Sequence, residues 1–282
     1  MSKLYIVPTP IGNLDDITLR AVRVLREVDL ILAEDTRTSS VLLRHLGIEK
    51  RLHAHHKFNE HATTAAVAET IAAGRTVALI SDAGTPGISD PGEDLVRICY
   101  EQGIEVTSLP GAAACITALT LSGLPTRRFS FEAFLPKEKK ERAAVLEELK
   151  NDTRTLIVYE APHHLLGTLK ELQNALGDRR LTVCRELTKK FETAFQTTFS
   201  EAIRYYEEQG VRGECVLVIE GRSREELVQE AQQSWEAISV EEHMEHYLST
   251  GMDRKSAMKQ VAKDRGVGKR EIYQMLLKAE NE

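Results

Sequence analysis

Short apolar runs alternate with amphipathic segments through the first 122 residues of the chain. A run of four or five apolar residues bounded by glycine, proline or polar residues is typical of a strand buried on both faces. Between these runs, apolar positions recur at the spacing of a helix with one buried face. Predicted strands cover residues 4–7, 28–32, 52–55, 77–80 and 104–107. The first predicted helix begins after Asp16, which is expected to be its N-cap. Further predicted helices include residues 41–46, 61–73, 95–102 and 112–121. This alternation predicts a mainly parallel sheet with helices on its faces.

A second α/β series follows a linker-like stretch at residues 122–128. Its predicted strands cover residues 129–134, 155–159, 181–184, 194–199 and 215–219, and its predicted helices cover 139–149 and 162–176. Beyond residue 222 the strand pattern ends, and residues 239–278 have a helical pattern. We therefore predict an α/β fold with two α/β domains at 1–122 and 123–222, an interdomain cleft, and a helical extension at 223–282.

The loop at residues 81–92, SDAGTPGISDPG, is the strongest candidate for ligand binding. Three glycines, two prolines and two aspartates in twelve residues exclude a helix or a central strand. The loop follows a buried strand, and open α/β sheets bind ligands at the carboxyl ends of their strands. The alternative is a plain strand-to-helix connector in which Pro91 opens the next helix, although such connectors usually need only about two to six residues. Whether Asp82 or Asp90 contacts the ligand or only shapes the turn stays open at this stage.

The charge distribution restricts any nucleic-acid contact to local patches, because the whole chain carries a net charge of −6. Residues 252–278 are different, with eight Lys or Arg against three Asp or Glu. There Asp253 is placed to cap one helix, and a turn at 266–268 leads into a second, basic helix. This helix-turn-helix pattern favours nucleic-acid contact, and the alternative is a plain packing or dimerisation module.

Other function classes find no support in the sequence. No apolar run approaches the ~20 residues of a membrane span, and the first residues lack the apolar core and cleavage site of a signal peptide. The four cysteines are far apart and form no CxxC pair, so a reducing cytoplasm is the expected location. No metal site is predicted, because a dense histidine group lacks the ligands that would complete one: His53, His55, His56 and His61.

Ionisable residues follow three other predicted strands. They lie at 34–37 (EDTR), 159–164 (YEAPHH) and 185–190 (RELTKK). For EDTR, a helix cap with a surface salt bridge and a polar cluster in the cleft are equally supported. The glycine fingerprints of Rossmann dinucleotide sites and of P-loops do not occur in the chain. A charge run at 134–142, near two arginines at 127 and 128, fits either a solvated helix start or a phosphate contact.

Eight motifs in order carry a resemblance to one known family. They are VPTPIGNLDDITLRA, AEDTR, HKFNE, LISDAGTPGISDPG, PGAAA, YEAPHH, CRELTK and RGECVLVIEG. With them the chain resembles the bacterial small-subunit (16S) ribosomal RNA (cytidine-2′-O)-methyltransferases of the tetrapyrrole methylase superfamily, over essentially its whole length. The resemblance implies a homodimer with S-adenosylmethionine held between two α/β domains, 2′-O-methylation of a cytidine, and a partner in 16S ribosomal RNA or the small ribosomal subunit. It implies cofactor binding by Pro10, Asp82, Gly84, Thr85, Ile88, Ala113, Ala114, Phe134, Tyr159, Leu187, Gly213 and Glu214.

Methyl transfer to a hydroxyl requires alignment of the oxygen with the methyl group and removal of a proton. From their places at strand ends, Glu34 or Asp35 are the first candidates for the proton acceptor, followed by Glu160 or Glu186. Arg37 and Lys189 are the candidates for holding phosphate or stabilising developing charge.

Two rival functions stay open. A tetrapyrrole or precorrin methyltransferase on the same scaffold has no need of a basic helical tail. A non-enzymatic RNA-binding assembly factor would keep only a vestigial cofactor pocket, which a binding measurement with the cofactor distinguishes.

Overall fold

A computed structural model describes residues 2–56 and 60–279, without the side chains of residues 60–62 and 279. The chain forms two compact units. The first comprises Met1–Leu149 and Arg154–Glu220, and the second comprises Lys150–Thr153 and Gly221–Glu282. Both sheets belong to the first unit, and the predicted boundary between two α/β domains after residue 122 stays a prediction. Most of the HKFNE motif and the side chain of His61 lie outside the described residues.

The first sheet is parallel throughout its pairings, as predicted. Its strands are β1 (Leu4–Ile6), β2 (Leu30–Ala33), β3 (Leu52–Ala54), β4 (Val77–Ile80) and β5 (Val106–Ser108), in the order β3-β2-β4-β1-β5. Successive residues of β4 alternate between two apolar clusters, with Ala78 and Ile80 in one and Val77 and Leu79 in the other. Because all four residues are buried, both faces of this strand are covered, which explains its unbroken apolar run.

Helices α1 (Leu19–Glu27), α2 (Thr36–His45), α3 (Glu60–Ala72) and α4 (Glu93–Glu101) cover this sheet. The next helix, α5 (Ala114–Leu121), packs against the second sheet instead. The prediction that Asp16 caps the first helix was wrong. Asp16 ends a short 3-10 turn, and the Thr18 side chain caps α1 by accepting a hydrogen bond from the backbone of Ala21 at 3.1 Å. The alternative in which Pro91 opens α4 was also wrong, because the N-cap is Gly92, whose φ of 142° is open to glycine alone.

The second sheet is mixed. Its strands are β6 (Phe129–Phe134), β7 (Thr155–Glu160), β8 (Arg180–Arg185), β9 (Thr193–Thr198) and β10 (Cys215–Ile219), in the order β6-β7-β10-β8-β9. Only β6 and β7 pair in parallel. The helices of this half are α6 (Lys139–Leu149), α7 (Leu165–Leu176) and α8 (Phe199–Gln209). The helix predicted from residue 162 begins at Leu165 instead, after a turn in which the amides of residues 164 and 165 both donate to the Ala161 carbonyl.

The second unit is built from four helices: α9 (Arg224–Glu236), α10 (Val240–Ser249), α11 (Arg254–Asp264) and α12 (Lys269–Ala279). As predicted, Asp253 caps α11, and its carboxylate accepts backbone hydrogen bonds from Lys255 and Ser256 at 2.9 and 3.1 Å. Inward residues of α10, α11 and α12 form one apolar cluster that includes Met244, Val261 and Ile272. The helical extension therefore has a core of its own.

A buried histidine lies in this unit. The His243 ring stacks on Trp235 with centroids 3.9 Å apart and an interplanar angle of 4°, and its Nδ1 accepts a hydrogen bond from Arg265 Nε at 3.1 Å. Its Nε2 lies 3.4 Å from Asp264 Oδ2. Burial, and then the charge of Arg265, lower the pKa of His243 from its ordinary 6.5, while Asp264 opposes this effect.

We expect the helical unit to lose stability as the pH falls below about 6.5, because the unfolded chain then binds a proton at His243 that the folded chain resists. Denaturant unfolding at pH 7.5 and 5.5, followed by tryptophan fluorescence, measures this directly because Trp235 is the only tryptophan. His243→Phe keeps the aromatic stack and should flatten the pH dependence. An equally steep pH dependence in that variant would assign the effect to another group.

Candidate functional site

A cavity of about 410 Å³ lies within the first unit at the carboxyl ends of β4 and β7. Its walls come from loops that follow strands of the first sheet, from the start of α5, and from strands and loops of the second sheet. The wall residues are Ile11, Ala83, Gly84, Thr85, Ile88, Ser89, Asp90, Ala113, Ala114, Phe134, Tyr159, Glu160, Ala161, Pro162, Glu214, Cys215 and Val216. The predicted ligand loop at 81–92 supplies six of these residues, which is more than any other segment.

Backbone pairing fixes the 81–92 loop against the loop after β1. Thr9 and Gly84 exchange two backbone hydrogen bonds of 2.9 and 3.1 Å, and the buried Thr9 hydroxyl donates to the Ser81 carbonyl at 3.1 Å. Gly84 has a φ of 84°, and an added Cβ would lie 3.3 Å from Ile11 Cγ2. The backbone conformation therefore favours glycine here, and a side chain would also require the Ile11 methyl group to shift by a few tenths of an ångström.

The loop after β5 packs into the same arrangement. The Thr85 hydroxyl donates to the Ala112 carbonyl at 2.8 Å, and a Cβ added to Gly111 would lie 2.4 Å from Pro8 Cβ. These contacts join the loops that follow β1, β4 and β5. The positions of Ala113 and Ala114 on the cavity wall are thus set by contacts within this loop cluster.

An aromatic wall closes the side that belongs to the second sheet. The Tyr159 hydroxyl accepts a hydrogen bond from the backbone amide of Cys115 at 2.9 Å, and the ring makes edge contacts with Phe131 and Phe134 at 4.9 and 5.7 Å. Burial, together with the nearby Cys115, raises the pKa of Tyr159, so the phenol stays neutral at physiological pH. Ala133, at an irregularity in β6, has a φ of 50°, which is unusual for a residue with a side chain.

A strained segment after β8 approaches the loop that contains Gly12. Glu186 and Thr188 have φ values of 52° and 63°, in the left-handed region. A Cβ added to Gly12 would lie 2.8 Å from the Leu187 carbonyl oxygen, and one added to Gly213 would lie 2.4 Å from Glu186 Cγ. Strained backbone of this kind is often found at functional sites, where surrounding contacts hold it in place.

Lys189 joins this segment to the cavity wall. Its ammonium lies 3.1 Å from a carboxylate oxygen of Glu186 and 3.1 Å from one of Glu214. Partial burial lowers the pKa of Lys189, but the two carboxylates outweigh this effect and raise it above its ordinary value. Lys189 itself does not line the cavity, so in this structure it positions Glu214, which does.

An acidic cluster lies beside the cavity, at the ends of β2 and β4. The Asp35 amide donates to Asp82 Oδ1 at 3.1 Å. Hydrogen bonds from Arg37 hold the pKa of Asp35 at about 2. Burial raises the pKa of Glu34, and the neighbouring carboxylates Asp90 and Asp82 raise it further.

Asp90 is the member of this cluster that lines the cavity. Burial raises the pKa of Asp90, a hydrogen bond with the Ser81 side chain opposes that shift, and the charge of Asp82 adds to it. The carboxyl group is therefore a stronger base than an ordinary aspartate when it is ionised.

Eight of the twelve predicted cofactor residues line the cavity: Gly84, Thr85, Ile88, Ala113, Ala114, Phe134, Tyr159 and Glu214. The other four do not line it: Pro10, Asp82 and Gly213 lie in segments that contribute wall residues, and Leu187 lies in the segment after β8, which contributes none. None of the predicted catalytic residues Glu34, Asp35, Arg37 and Lys189 lines it. Their assigned roles stay predictions.

Sequence reasoning left several wall residues unassigned. Ile11 and Cys215 are next in sequence to the predicted site residues Pro10 and Glu214. This adjacency is the one sequence feature that could have identified them. Glu160 had been considered only as a proton acceptor. Its two carboxylate oxygens accept hydrogen bonds from the Ala161 amide at 2.8 Å and from Thr168 Oγ1 at 2.5 Å.

The described residues offer neither a metal site nor a membrane span. Within residues 2–56 and 60–279, no group of three or more His, Cys, Asp or Glu side chains is arranged to hold a metal ion. No helix in that same part of the chain is long and apolar enough to cross a membrane.

Comparisons with known proteins agree with this architecture. Ribosomal RNA small subunit methyltransferase I of Halalkalibacterium halodurans is 47% identical over 270 residues, which are 96% of this chain and 93% of that protein. The protein of the same name from Bacillus subtilis is 46% identical and covers 97% of this chain and 93% of its own length.

Solved structures share the fold at low sequence identity. Diphthine synthase has a TM-score of 0.63 at 15% identity, over 78% of this chain and 90% of that one. Uroporphyrin-III C-methyl transferase from Thermus thermophilus, solved with S-adenosyl homocysteine, has a TM-score of 0.55 at 20% identity, over 77% of this chain and 97% of that one. The predicted fold class is thereby confirmed.

The model of the family described as Tetrapyrrole (Corrin/Porphyrin) Methylases matches residues 3–203, which contain most of both sheets and most of the cavity wall. This match and the close relatives confirm the predicted enzyme class, a methyltransferase. The chain belongs to the tetrapyrrole methylase family.

Proposed function

We propose that this protein transfers a methyl group from S-adenosylmethionine to a cytidine 2′-hydroxyl in small-subunit (16S) ribosomal RNA. The observation that carries the proposal is the identity of 47% with a ribosomal RNA small subunit methyltransferase I over 96% of the chain. That span includes nearly all of the helical unit, whereas the family model ends at residue 203. A homodimer in the cytoplasm, as expected from the sequence, belongs to the same proposal.

The cavity suits S-adenosylmethionine in size and chemistry. Its volume of about 410 Å³ lies within the range of about 300–1,000 Å³ typical of small-molecule sites. Apolar walls from Ile88, Phe134 and Val216 offer surface for a flat base, while Thr85, Ser89 and Asp90 place polar groups on the wall. When bound, the cofactor supplies the activated methyl group, and the chain supplies binding and alignment.

The chain's own residues have three tasks in this reaction. The glycine-containing loops fix the cavity walls, so that a bound methyl donor has one orientation. The aromatic wall bounds the cavity on the side of the second sheet, with Tyr159 kept neutral. A carboxylate must accept the proton that the ribose hydroxyl loses.

The basic helices favour RNA over a macrocyclic substrate. Exposed cations of α11 and α12 include Lys259, Lys269 and Arg270. These cations form a local positive surface that can bind RNA phosphates, although the whole chain has a net charge of −6. A tetrapyrrole methyltransferase needs no such surface, and the solved relatives with macrocycle names share the fold at 21% identity or less.

The test is methyl transfer from labelled S-adenosylmethionine to small ribosomal subunits that lack the modification, followed by nucleotide mapping. We expect label at one cytidine ribose. Label on a base, or transfer to a porphyrinogen instead of RNA, would contradict the proposal. Cofactor binding without transfer to any RNA would favour the assembly-factor alternative.

A further inference from the structure

We propose that Asp90 accepts the proton of the attacking ribose hydroxyl, a role that rests on the proposed function. The sequence pointed to Glu34, Asp35, Glu160 or Glu186 for this step, but geometry favours a residue of the 81–92 loop.

Three carboxylates line the cavity: Asp90, Glu160 and Glu214. Glu160 is 7% exposed, and both of its oxygens accept hydrogen bonds from the chain, so it serves to hold the turn after β7. Glu214 has a side chain that is 83% exposed and is paired with Lys189, which weakens it as a base. Asp90 is partly buried, and the group that opposes the rise in its pKa is a neutral hydroxyl, that of Ser81.

The other carboxylates predicted from the sequence are less suited to accept the proton. Asp35 is bound by Arg37 through two nitrogens, Nε at 3.1 Å and Nη2 at 2.8 Å, and its pKa of about 2 makes it a weak base. The Glu186 carboxylate is occupied by Lys189 and by the Glu214 amide, each at 3.1 Å. Glu34 does not line the cavity.

The electrostatic environment of Asp90 suits an acceptor of protons. Burial and the charge of Asp82 both favour its protonated form, and the pKa of Asp90 is raised. Asp90 and Glu34 also interact electrostatically, because the negative charge of Asp90 raises the pKa of Glu34. A carboxylate that gains stability on protonation is the better base for a weakly acidic hydroxyl.

Backbone geometry fixes the position of this carboxylate. Gly87 and Gly92 stand on either side of Asp90 with φ values of 80° and 142°, and a Cβ added to Gly92 would lie 2.8 Å from Leu79 Cδ2. The loop therefore depends on conformations that other residues rarely adopt. A preorganised carboxylate of this kind costs no reorganisation during the reaction.

The step balances in atoms and charge. The hydroxyl oxygen forms a bond to the methyl carbon, while the carbon–sulfur bond breaks and its electron pair returns to sulfur. The hydroxyl proton passes to the Asp90 carboxylate, which becomes neutral as the positive charge on sulfur is lost. Solvent then removes the proton from Asp90 and restores the carboxylate.

The test compares Asp90→Asn with Glu93→Gln, a carboxylate-to-amide change at an exposed position three residues away that does not line the cavity. Single-turnover methylation of undermodified small subunits should fall by about 10²–10⁴ in Asp90→Asn and stay near the wild-type rate in Glu93→Gln. Affinity for S-adenosylhomocysteine, measured by calorimetry, should change by less than about threefold in both. The rate of the wild type should rise with pH through a pKa above that of an ordinary aspartate, and Asp90→Asn should lose this feature.

The outcomes separate the two proposals. If the wild type methylates no ribosomal RNA, the proposed function fails and the role of Asp90 fails with it. If the wild type is active and Asp90→Asn keeps its rate, only the Asp90 assignment is overturned. Loss of S-adenosylhomocysteine affinity in Asp90→Asn also overturns it, because Asp90 would then be a cofactor ligand.

Discussion

Tyr159→Ala is expected to weaken the binding of S-adenosylhomocysteine about 100-fold. The substitution removes an aromatic wall of the cavity, the edge contacts with Phe131 and Phe134, and the hydrogen bond from the Cys115 amide. If about 100 Å² of aromatic face contacts the ligand, its loss costs about 2.5 kcal/mol, which is close to a factor of 100 in Kd. Calorimetric titration measures this loss.

Tyr159→Phe separates the wall from the hydrogen bond. It keeps the ring and its contacts and leaves only the Cys115 amide without its acceptor. We expect a change in affinity of less than about tenfold, together with a loss of stability of about 1–3 kcal/mol. If this variant bound as weakly as Tyr159→Ala, the hydrogen bond to α5 would matter more than the wall.

Tyr205→Ala is the matched control. Tyr205 lies on α8, is 45% exposed and contacts Phe195 at 4.9 Å, but it does not line the cavity. Its replacement should leave the affinity for S-adenosylhomocysteine unchanged. Wild-type affinity in Tyr159→Ala, with the fold intact by circular dichroism, would mean that the cofactor binds elsewhere.

Apolar periodicity predicted the central strands β1, β2 and β4 of the first sheet well because they are short, mostly buried and bounded by breakers. The edge strands β3 and β5 have no buried residue, so their pattern is weaker. The start of α8 shows where the pattern fails. Residues 193–199 alternate in a strand-like way, so Phe199 was assigned to a strand, yet the Thr198 side chain accepts a hydrogen bond from the Glu201 amide and begins a helix there. A Thr followed three residues later by Glu is a known capping signal, so this error was avoidable.

The start of the first helix is set by local hydrogen bonds that residue type alone did not distinguish. Asp16 and Thr18 are both good capping residues. Thr18 caps α1, because Asp16 belongs to a separate turn that Asn13 caps. The mixed pairing of the second sheet was likewise not predictable from periodicity, which reports burial but not strand direction.

The site was predictable where one loop carries its own signal. Breaker content alone located the 81–92 loop, which became the largest contributor to the cavity wall. The closeness of Gly12 to Leu187 joins residues 175 positions apart in sequence, and only the folded chain displays it. The ion pairs were not predictable from the sequence either. Lys189 was a candidate because of its charge, but only the structure shows that it pairs with two carboxylates.

Neutralising three exposed cations of the helical unit is expected to lower RNA affinity by about 10- to 1,000-fold at low salt. The variant changes Lys259, Lys269 and Arg270 to Gln, all exposed residues of α11 and α12. If each contacts a phosphate, the slope of log affinity against log salt falls by about 2 to 3, because each contact releases roughly 0.7–0.9 of a counterion. Filter binding to small-subunit RNA at several salt concentrations measures both quantities.

A matched control removes the same charge from the first unit, by changing Arg20, Arg23 and Arg204, which are exposed on α1 and α8, to Gln. Both variants acquire the same net charge, so a general electrostatic effect on RNA binding would weaken them equally. We expect the control to retain most of the salt dependence, and both variants to bind S-adenosylhomocysteine as the wild type does. Equal losses in the two variants would reassign α11 and α12 to packing or dimer contacts, the alternative that their sequence pattern also allows. If only the first variant lost RNA affinity, the helical unit would be a substrate-binding module. It would contribute to RNA affinity without contributing to the methyl-transfer site.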